Sequence, residues 1–513
     1  MTTTAPVAHP DRLFIDGAWV AASSDAVIDV VDSGTEELYF RVAEARAADL
    51  DRAVGAARKA FDEGPWPRLS HAERAEYLRA FGPALQERSD ALAQIWPRES
   101  GTIATFARYA AGAMQKDFDA YAALAETFAF EETATPSMGG FGLIVREPVG
   151  VVGAIVPWNS PHGLIPHKIG PALLAGCTVV LKMSPEAPGA GYVTAEAAEQ
   201  IGLPPGVLNV VTADREVSEL LVRDPRVDKI TFTGSTAAGR RIGAIMGERI
   251  GRMTLELGGK SAAVILDDAD IEAAAATIAR QECVMTGQVC SSLTRVVVTR
   301  ARHDAMVEAL AANFGKVVVG NQFDADTQMG PLAVSRQRDR VEGYIAKGIA
   351  EGATLAAGGK RPAHLDRGWF VEPTVFGNVD NSSTIAQEEI FGPVLSVIPA
   401  TDEADAVRIA NDTIYGLNAS VFTSDPDRAY AVARQLRSGT VGMNSFRTDF
   451  GIAFGGFKQS GLGREGGKEG LAHFLETKTV ILDEPSTPYR TQVRSSSPAK
   501  PAGVAEHRIK KEA

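Results

Sequence analysis

Three observations predict an α/β protein built on parallel sheets with helices on their faces. From Gly150 onward, short apolar and β-branched runs alternate with segments of helical periodicity, the pattern of parallel strands joined by crossover helices. The chain has 513 residues, too many for one ordinary core, so two or three domains are expected. Its composition, 45% hydrophobic and 23% charged, can fill such cores, yet no apolar run approaches the ~18 to 20 residues that span a bilayer.

The elements follow in order. LFIDGAWV reads as a short leading strand pair, and helices follow it to about residue 130; ADLDRAVGAARKAFDEG repeats apolar residues at helical spacing and stops at Gly64-Pro65. VGVVGAIVP, CTVVLKMS, VLNVVTA, KITFTGS and RMTLELGG read as strands, with GYVTAEAAEQIG and TAAGRRIGAIMGERI as helices among them. In the second half SAAVILDD, TRVVVTR and KVVVGN read as strands, and IEAAAATIARQECVM and ARHDAMVEALAANFG as helices. After about Pro485 the composition turns to Ser, Pro, Ala and Lys without periodicity, as in a mobile tail. There is no repeat at solenoid spacing.

A net charge of -12 argues against nucleic acid or an anionic membrane as partner, because both reward clustered Lys and Arg. The basic end (Arg508, Lys510, Lys511) is short enough to read as a solvated tail. MTTTAPVAHPDR lacks the charged start and apolar run of a signal peptide. Cys177, Cys283 and Cys290 are odd in number and show no CxxC spacing, so neither a disulfide framework nor a zinc site is signalled, and a reducing, cytoplasmic setting is expected. His162 and His167 have no third ligand at zinc-like spacing, and no metal is expected.

Some motif matches mislead. GLGREG (461–466) fits G-x-G-x-x-G, but no strand runs into it. GGKS (259–261 at its Gly-Lys-Ser) lacks the earlier Gly of a P-loop, since that position is Thr254. KITFTGSTAAGR is a better phosphate candidate, a strand entering Gly234-Ser235 and then a helix. Asn159 follows a strand end in VVGAIVPWNSP, where its amide serves either an oxyanion or a turn. Cys283 sits within a helical pattern and reads as packing, whereas Cys290, just after Gly287 in TGQVCSS, can leave the helix and expose its thiol.

Taken together, PWN (157–159), LKMSPEAP, FTGST (232–236), LELGGKS (255–261), GQVC (287–290), EEIFGP (388–393) and FGGFKQSGLGRE (454–465) occur in one order with consistent spacing. From about Leu13 to Val480 the chain resembles the NAD(P)-dependent aldehyde dehydrogenase superfamily, closest to its hydrolytic, broad-specificity bacterial members. The resemblance implies two Rossmann-like parallel-sheet domains plus a small β oligomerisation element. The NAD(P)-binding domain would comprise 1–129 and 149–257, the catalytic domain 258–468, the oligomerisation element 130–148 and 469–486, and the mobile tail 487–513. FGLIVREPVG and LETKTVI would supply strands of that element, giving a homodimer or homotetramer.

The resemblance also implies roles. Cys290 matches the nucleophile, whose thiolate forms an adduct with the aldehyde and then a thioester that water hydrolyses. The Asn159 amide, with the Cys290 backbone N–H, matches the oxyanion hole. Glu256 matches the general base, and Lys168 and Glu476 match positions used for proton relay or for an ordinary salt bridge. Among cofactor residues, Lys182 would meet the adenosine ribose and Ser235 the pyrophosphate. Val156, Pro157, Trp158, Ser184, Glu186, Gly234 and Leu257 would line the cofactor loops. Glu389 would hold the nicotinamide ribose with Phe391 beside it.

Departures from the family pattern sharpen the expectation. Pro185 stands where many NAD-preferring relatives carry the Glu that grips the ribose hydroxyls, with Glu186 adjacent, so NAD is favoured and NADP not excluded. The substrate pocket is expected around Ser160, Leu164, His167, Arg447 and Phe454. Ser160 and His167 replace aromatic residues there, and Arg447 would either meet a substrate carboxylate or form a surface salt bridge. A medium-sized apolar or aromatic aldehyde is the expected substrate. The alternatives are a CoA-acylating enzyme, which Glu256 disfavours, and a catalytically silent scaffold of the same fold.

Overall fold

A computed structural model describes residues 5–489. The start of the N-terminal segment and residues 490–513 of the expected tail, with Arg508, Lys510 and Lys511, lie outside the described residues. Packing divides the chain into two units, Met1–Phe128 with Pro148–Leu475, and Ala129–Glu147 with Glu476–Ala513.

The first unit holds two sheets. One runs Gly461–Leu462, Arg252–Glu256, Lys229–Thr233, Val151–Ile155, Thr178–Met183, Leu208–Thr212, Arg12–Ile15, Ala18–Ala21. Its five central strands are mutually parallel. Taken in chain order from Val151, they lie 3-2-1-4-5, the order of half a dinucleotide-binding fold. The chain reverses direction of travel between Val151–Ile155 and Lys229–Thr233, which opens a crevice beyond the carboxyl ends of those two strands. The leading hairpin, turned at Asp16 and Gly17 with positive φ, closes one edge through Phe14 opposite Val210. Every residue of the strands Val151–Ile155, Thr178–Met183, Leu208–Thr212 and Lys229–Thr233 is buried, as expected of parallel strands covered on both faces. One face is covered by the helices Ala47–Asp62, Arg215–Arg223 and Thr236–Glu248 through Val54, Leu221 and Met246.

The second sheet runs Thr354–Ala357, Thr374–Gly377, Val394–Ala400, Arg295–Thr299, Ala262–Ile265, Asn418–Phe422, Thr440–Met443. All its pairs are parallel but the first, which is antiparallel. Alternation divides its core, Val297 facing one layer and Val296 and Val298 the other. The sequence reading needs one correction here: KVVVGN is not a strand. The helix His303–Phe314 ends just before it, and the N–H groups of Lys316 and Val317 turn back to Asn313 and Phe314. Only Val319 makes a bridge, to Met329. Closing the helix uses the donors that a ladder would need.

In the second unit, Leu475–Leu482, Phe141–Pro148 and Glu131–Ala134 form a three-stranded sheet in that order, with Leu475–Leu482 on its margin. No helix among the described residues is long and apolar enough to cross a membrane. No three His, Cys, Asp or Glu side chains among them gather as metal ligands.

Candidate active site

The loop after helix Ile271–Cys283 explains how TGQVCSS presents its thiol. Met285, Thr286 and Gly287 all take positive φ, 55°, 56° and 68°, so the chain turns left-handed and abandons the helix. Such a conformation is strained for Met and more so for β-branched Thr, and it persists only where partners hold it. Gln288 supplies them: its buried side-chain amide donates to the carbonyls of Ser100 and Met285 (both 3.0 Å) and accepts from the Ala333 N–H (2.9 Å). Thr286 Oγ1 donates to the Gly330 carbonyl (3.0 Å). Gly287 is required doubly, since a Cβ there would lie 2.4 Å from the Gly392 carbonyl carbon. The outcome is a half-buried Cys290, whereas Cys177 and Cys283 are buried.

Asn159 meets this loop from the crevice between the two central strands. Its Nδ2 donates to the Gln288 carbonyl (2.9 Å), and its own carbonyl accepts from the Trp96 indole (2.8 Å). One amide N–H is thereby spent on orientation and the second is left to serve a ligand oxygen. Trp96, which also packs on His162 with ring centroids 3.9 Å apart, is a positioning residue that the sequence reading did not single out.

Glu256 ends the strand Arg252–Glu256 and is buried, yet neither carboxyl oxygen has a hydrogen-bond partner. Burial pushes its carboxyl well above the usual range and the Glu465 charge adds to this, while Lys168 and Arg464 oppose it. Lys168, fully buried, donates to Glu465 Oε1 at 2.6 Å. Glu465 is thus the carboxylate that Lys168 meets, and Glu476 lies on the strand Leu475–Leu482. The sequence reading missed Glu465, although it ends the quoted FGGFKQSGLGRE. The Cys290 thiol is pushed up to about 12 by burial and by the charges of Glu389 and Glu256, against the pull of Ser291 and its own backbone N–H.

The candidate cofactor residues gather at the carboxyl ends of the first sheet's strands. Val156, Pro157 and Trp158 follow Val151–Ile155; Lys182, Ser184 and Glu186 end or follow Thr178–Met183; Gly234 and Ser235 follow Lys229–Thr233; Leu257 follows Arg252–Glu256. Ser235 caps the helix Thr236–Glu248, its Oγ accepting from the Ala238 N–H (3.2 Å), so that helix start faces the crevice. Lys182 is buried, its ammonium makes no hydrogen bond among the described residues, and burial pushes that ammonium down to about 8. The Glu186 carboxylate is held by Ser184 and by Arg336; despite burial, these keep it below the usual range. Glu389 Oε1 accepts from the Gly259 N–H (3.2 Å), and burial pushes its carboxyl up to about 7. Phe391 meets Trp158 edge-on at 5.4 Å. Gly258 cannot carry a side chain, because a Cβ would lie 2.3 Å from Glu389 Oε2.

The expected substrate residues divide. His167 is buried and stacks on Phe450, which stacks on Phe454. Ser160 and Leu164 are half-buried at the start of the helix Pro161–Ala175. Arg447 is exposed.

Comparison with known proteins places this geometry. A family model described as the aldehyde dehydrogenase family matches residues 19–480. The geranial dehydrogenase of Castellaniella defragrans is 44% identical over 92% of this chain and 98% of its own. The crystal structure of a Mycobacterium tuberculosis aldehyde dehydrogenase complexed with NAD+ is 46% identical, with a TM-score of 0.91 over 93% of this chain and 99% of that one. A cysteine-to-alanine variant of Pseudomonas syringae aldehyde dehydrogenase C, complexed with NAD+ and octanal, is 38% identical with a TM-score of 0.90, covering 95% of this chain and 100% of that one.

Proposed function

The chain belongs to the aldehyde dehydrogenase family, and from that premise we propose that it oxidises an aldehyde to the carboxylic acid with NAD, through a Cys290 thioester that water hydrolyses. One observation carries the assignment of roles: a half-buried thiol, a pinned amide with a spare N–H, and a buried carboxyl without partners converge at one crevice.

The residues present fit NAD. The crevice lies at the strand-order reversal, a capped helix start faces it, and Lys182 is a buried cation with its hydrogen bonds unmade. Ser235 would hold the pyrophosphate, Lys182 and Glu186 the adenosine ribose, and Glu389 the nicotinamide ribose. Bound NAD supplies the two-electron acceptor. Glu186, one position beyond Pro185, would bring a carboxylate to that ribose, which favours NAD over NADP.

In the first half-reaction the Cys290 sulfur bonds to the aldehyde carbon and its proton passes to Glu256. Negative charge that develops on the carbonyl oxygen meets the free Asn159 N–H and the Cys290 backbone N–H. After oxidation to the thioester, Glu256 takes a proton from water, the hydroxyl adds to the acyl carbon, and the C–S bond breaks to give acid and thiol. The Lys168–Glu465 pair adjoins Glu256 electrostatically and would pass its proton outward. Because Glu256 is present to activate water, coenzyme A is not the expected acceptor.

Three free thiols without disulfide spacing suit the reducing cytoplasm, and the marginal strand Leu475–Leu482 suits pairing with a second copy. The decisive experiment follows NADH on addition of an aldehyde. Cys290→Ala is expected to abolish it, and unimpaired turnover would remove this mechanism.

A further inference from the structure

The helix Ser335–Ala350 begins where the two carboxylates assigned to the cofactor's riboses can both be reached. Gln337 Nε2 donates to the carbonyls of Ile390 (3.2 Å) and Phe391 (2.7 Å), and Arg340 Nη2 to the Glu389 carbonyl (2.6 Å). These bonds fix the helix against the segment that carries Glu389. Arg336, one position before Gln337, donates through Nη2 to Glu186 Oε1, 150 positions away in the chain. The helix start therefore lies between the two carboxylates and holds on to both segments.

The Arg336–Glu186 pair is not explained by what it does for stability. Val334, the cap of this helix, makes no side-chain bond to it, and the first turn holds no acid; a cation placed there opposes the helix dipole. The Arg336 side chain is 65% exposed, and so open an ion pair contributes little to folding. What the pair changes is the charge of the adenosine ribose site. Glu186 is the only acid in residues 184–189, and its two oxygens are already engaged, one by the Ser184 hydroxyl and one by Arg336. The guanidinium keeps Nε and Nη1 without a hydrogen bond among the described residues. Beside Glu186 stands Lys182, buried, its ammonium also unbonded. The other acid that acts on Lys182 is Asp214, which caps its own helix through the Val217 N–H (3.0 Å).

An unpaired Glu186 would repel the 2′-phosphate that distinguishes NADP, since a phosphate monoester carries about two negative charges at neutral pH. Paired with Arg336 and flanked by Lys182, its charge is offset. The spare guanidinium N–H groups are donors of the kind that grip phosphate in a fork.

We propose that the chain accepts NADP as a second cofactor, and that Arg336 is the residue that admits it by bridging Glu186 and the 2′-phosphate. With NAD the same contact keeps Glu186 partly occupied, so the preference for NAD is narrow. The inference rests on the cofactor site argued above and adds to it a specificity residue from a helix outside the first sheet.

Calorimetric titration of the full chain without aldehyde tests this, comparing NAD with NADP and, to isolate the adenosine end, 5′-AMP with 2′,5′-ADP. Wild-type protein is expected to bind NADP with a Kd within about tenfold of that for NAD. Arg336→Ala should weaken NADP and 2′,5′-ADP by about tenfold or more, because a hydrogen bond between charged groups is worth about that factor. NAD and 5′-AMP should bind that variant no more weakly, since Glu186 is released to the ribose hydroxyls. Arg336→Lys, which keeps the charge without the fork, should retain part of the NADP affinity. A wild-type gap wider than about tenfold overturns the proposal and leaves aldehyde oxidation with NAD standing. Equal weakening of NAD and NADP in Arg336→Ala also overturns it, because Arg336 would then support the site without reading the phosphate. Binding of neither dinucleotide by the wild type overturns both readings.

Discussion

Cys290 has a thiol pushed up to about 12 by burial and by two neighbouring carboxylates, so the protein without cofactor holds its nucleophile protonated at neutral pH. Alkylation by iodoacetamide, read by mass spectrometry at Cys290, should then quicken about tenfold per pH unit from 7 to 10. A plateau near pH 8 would mean that the site already stabilises the thiolate. Lys168 and Glu465 allow a sharper test of what holds the acid–base cluster together. Their 2.6 Å pair is buried at both ends, and Glu465 Oε2 has no partner. Lys168→Met should cost about 3–5 kcal/mol in urea unfolding, because it strands a buried carboxylate. Adding Glu465→Leu should recover most of that loss while activity stays low. Failure of the double variant to recover would show that Lys168 acts through packing rather than charge.

The left-handed turn that carries Cys290 is the element on which the site depends. Gly287→Ala forces a side chain into positive φ and against the Gly392 backbone, costing at least about 1–3 kcal/mol from backbone strain alone. Gly202 is the control: it has a similar φ of 64° with nothing within 4 Å of an added Cβ. We expect Gly287→Ala to lower both Tm and kcat, and Gly202→Ala to lower Tm by the backbone strain alone and to leave kcat unchanged. Equal effects would deny the turn its role. The glycine and a departure from the helix before Cys290 were readable in the sequence, though the helix was read on to Met285 and ends at Cys283. The strain at Met285 and Thr286 was not, because Ser100, Gly330 and Ala333 impose it from distant segments. KVVVGN errs in the opposite direction, local β-branching losing to a helix end that claims the backbone donors. Runs buried on both faces, such as Val151–Ile155, were legible because parallel strands need apolar residues throughout.

Across the whole molecule, the order of motifs sufficed to predict two largely parallel sheets. Pairing across the chain was less legible: Lys168 and Glu465 stand 297 positions apart, and Glu465 was not singled out although its motif was. The second unit poses the remaining question at this scale. Leu475–Leu482 is the margin of a three-stranded sheet, and Ile481 on it is 63% exposed. An exposed marginal strand with an apolar side chain invites pairing with another chain unless charge or Pro blocks it. Lys478 on the same strand is engaged by Glu147, so its charge guards the margin less than a free lysine would. Sedimentation at micromolar concentration should therefore give two or four times the mass of one chain. Ile481→Lys should shift the population toward single chains, by adding a charge where a second copy would pack. A wild-type protein that sediments as one chain sinks the assignment of this unit to assembly, and an Ile481→Lys variant of unchanged mass moves the contact to another face.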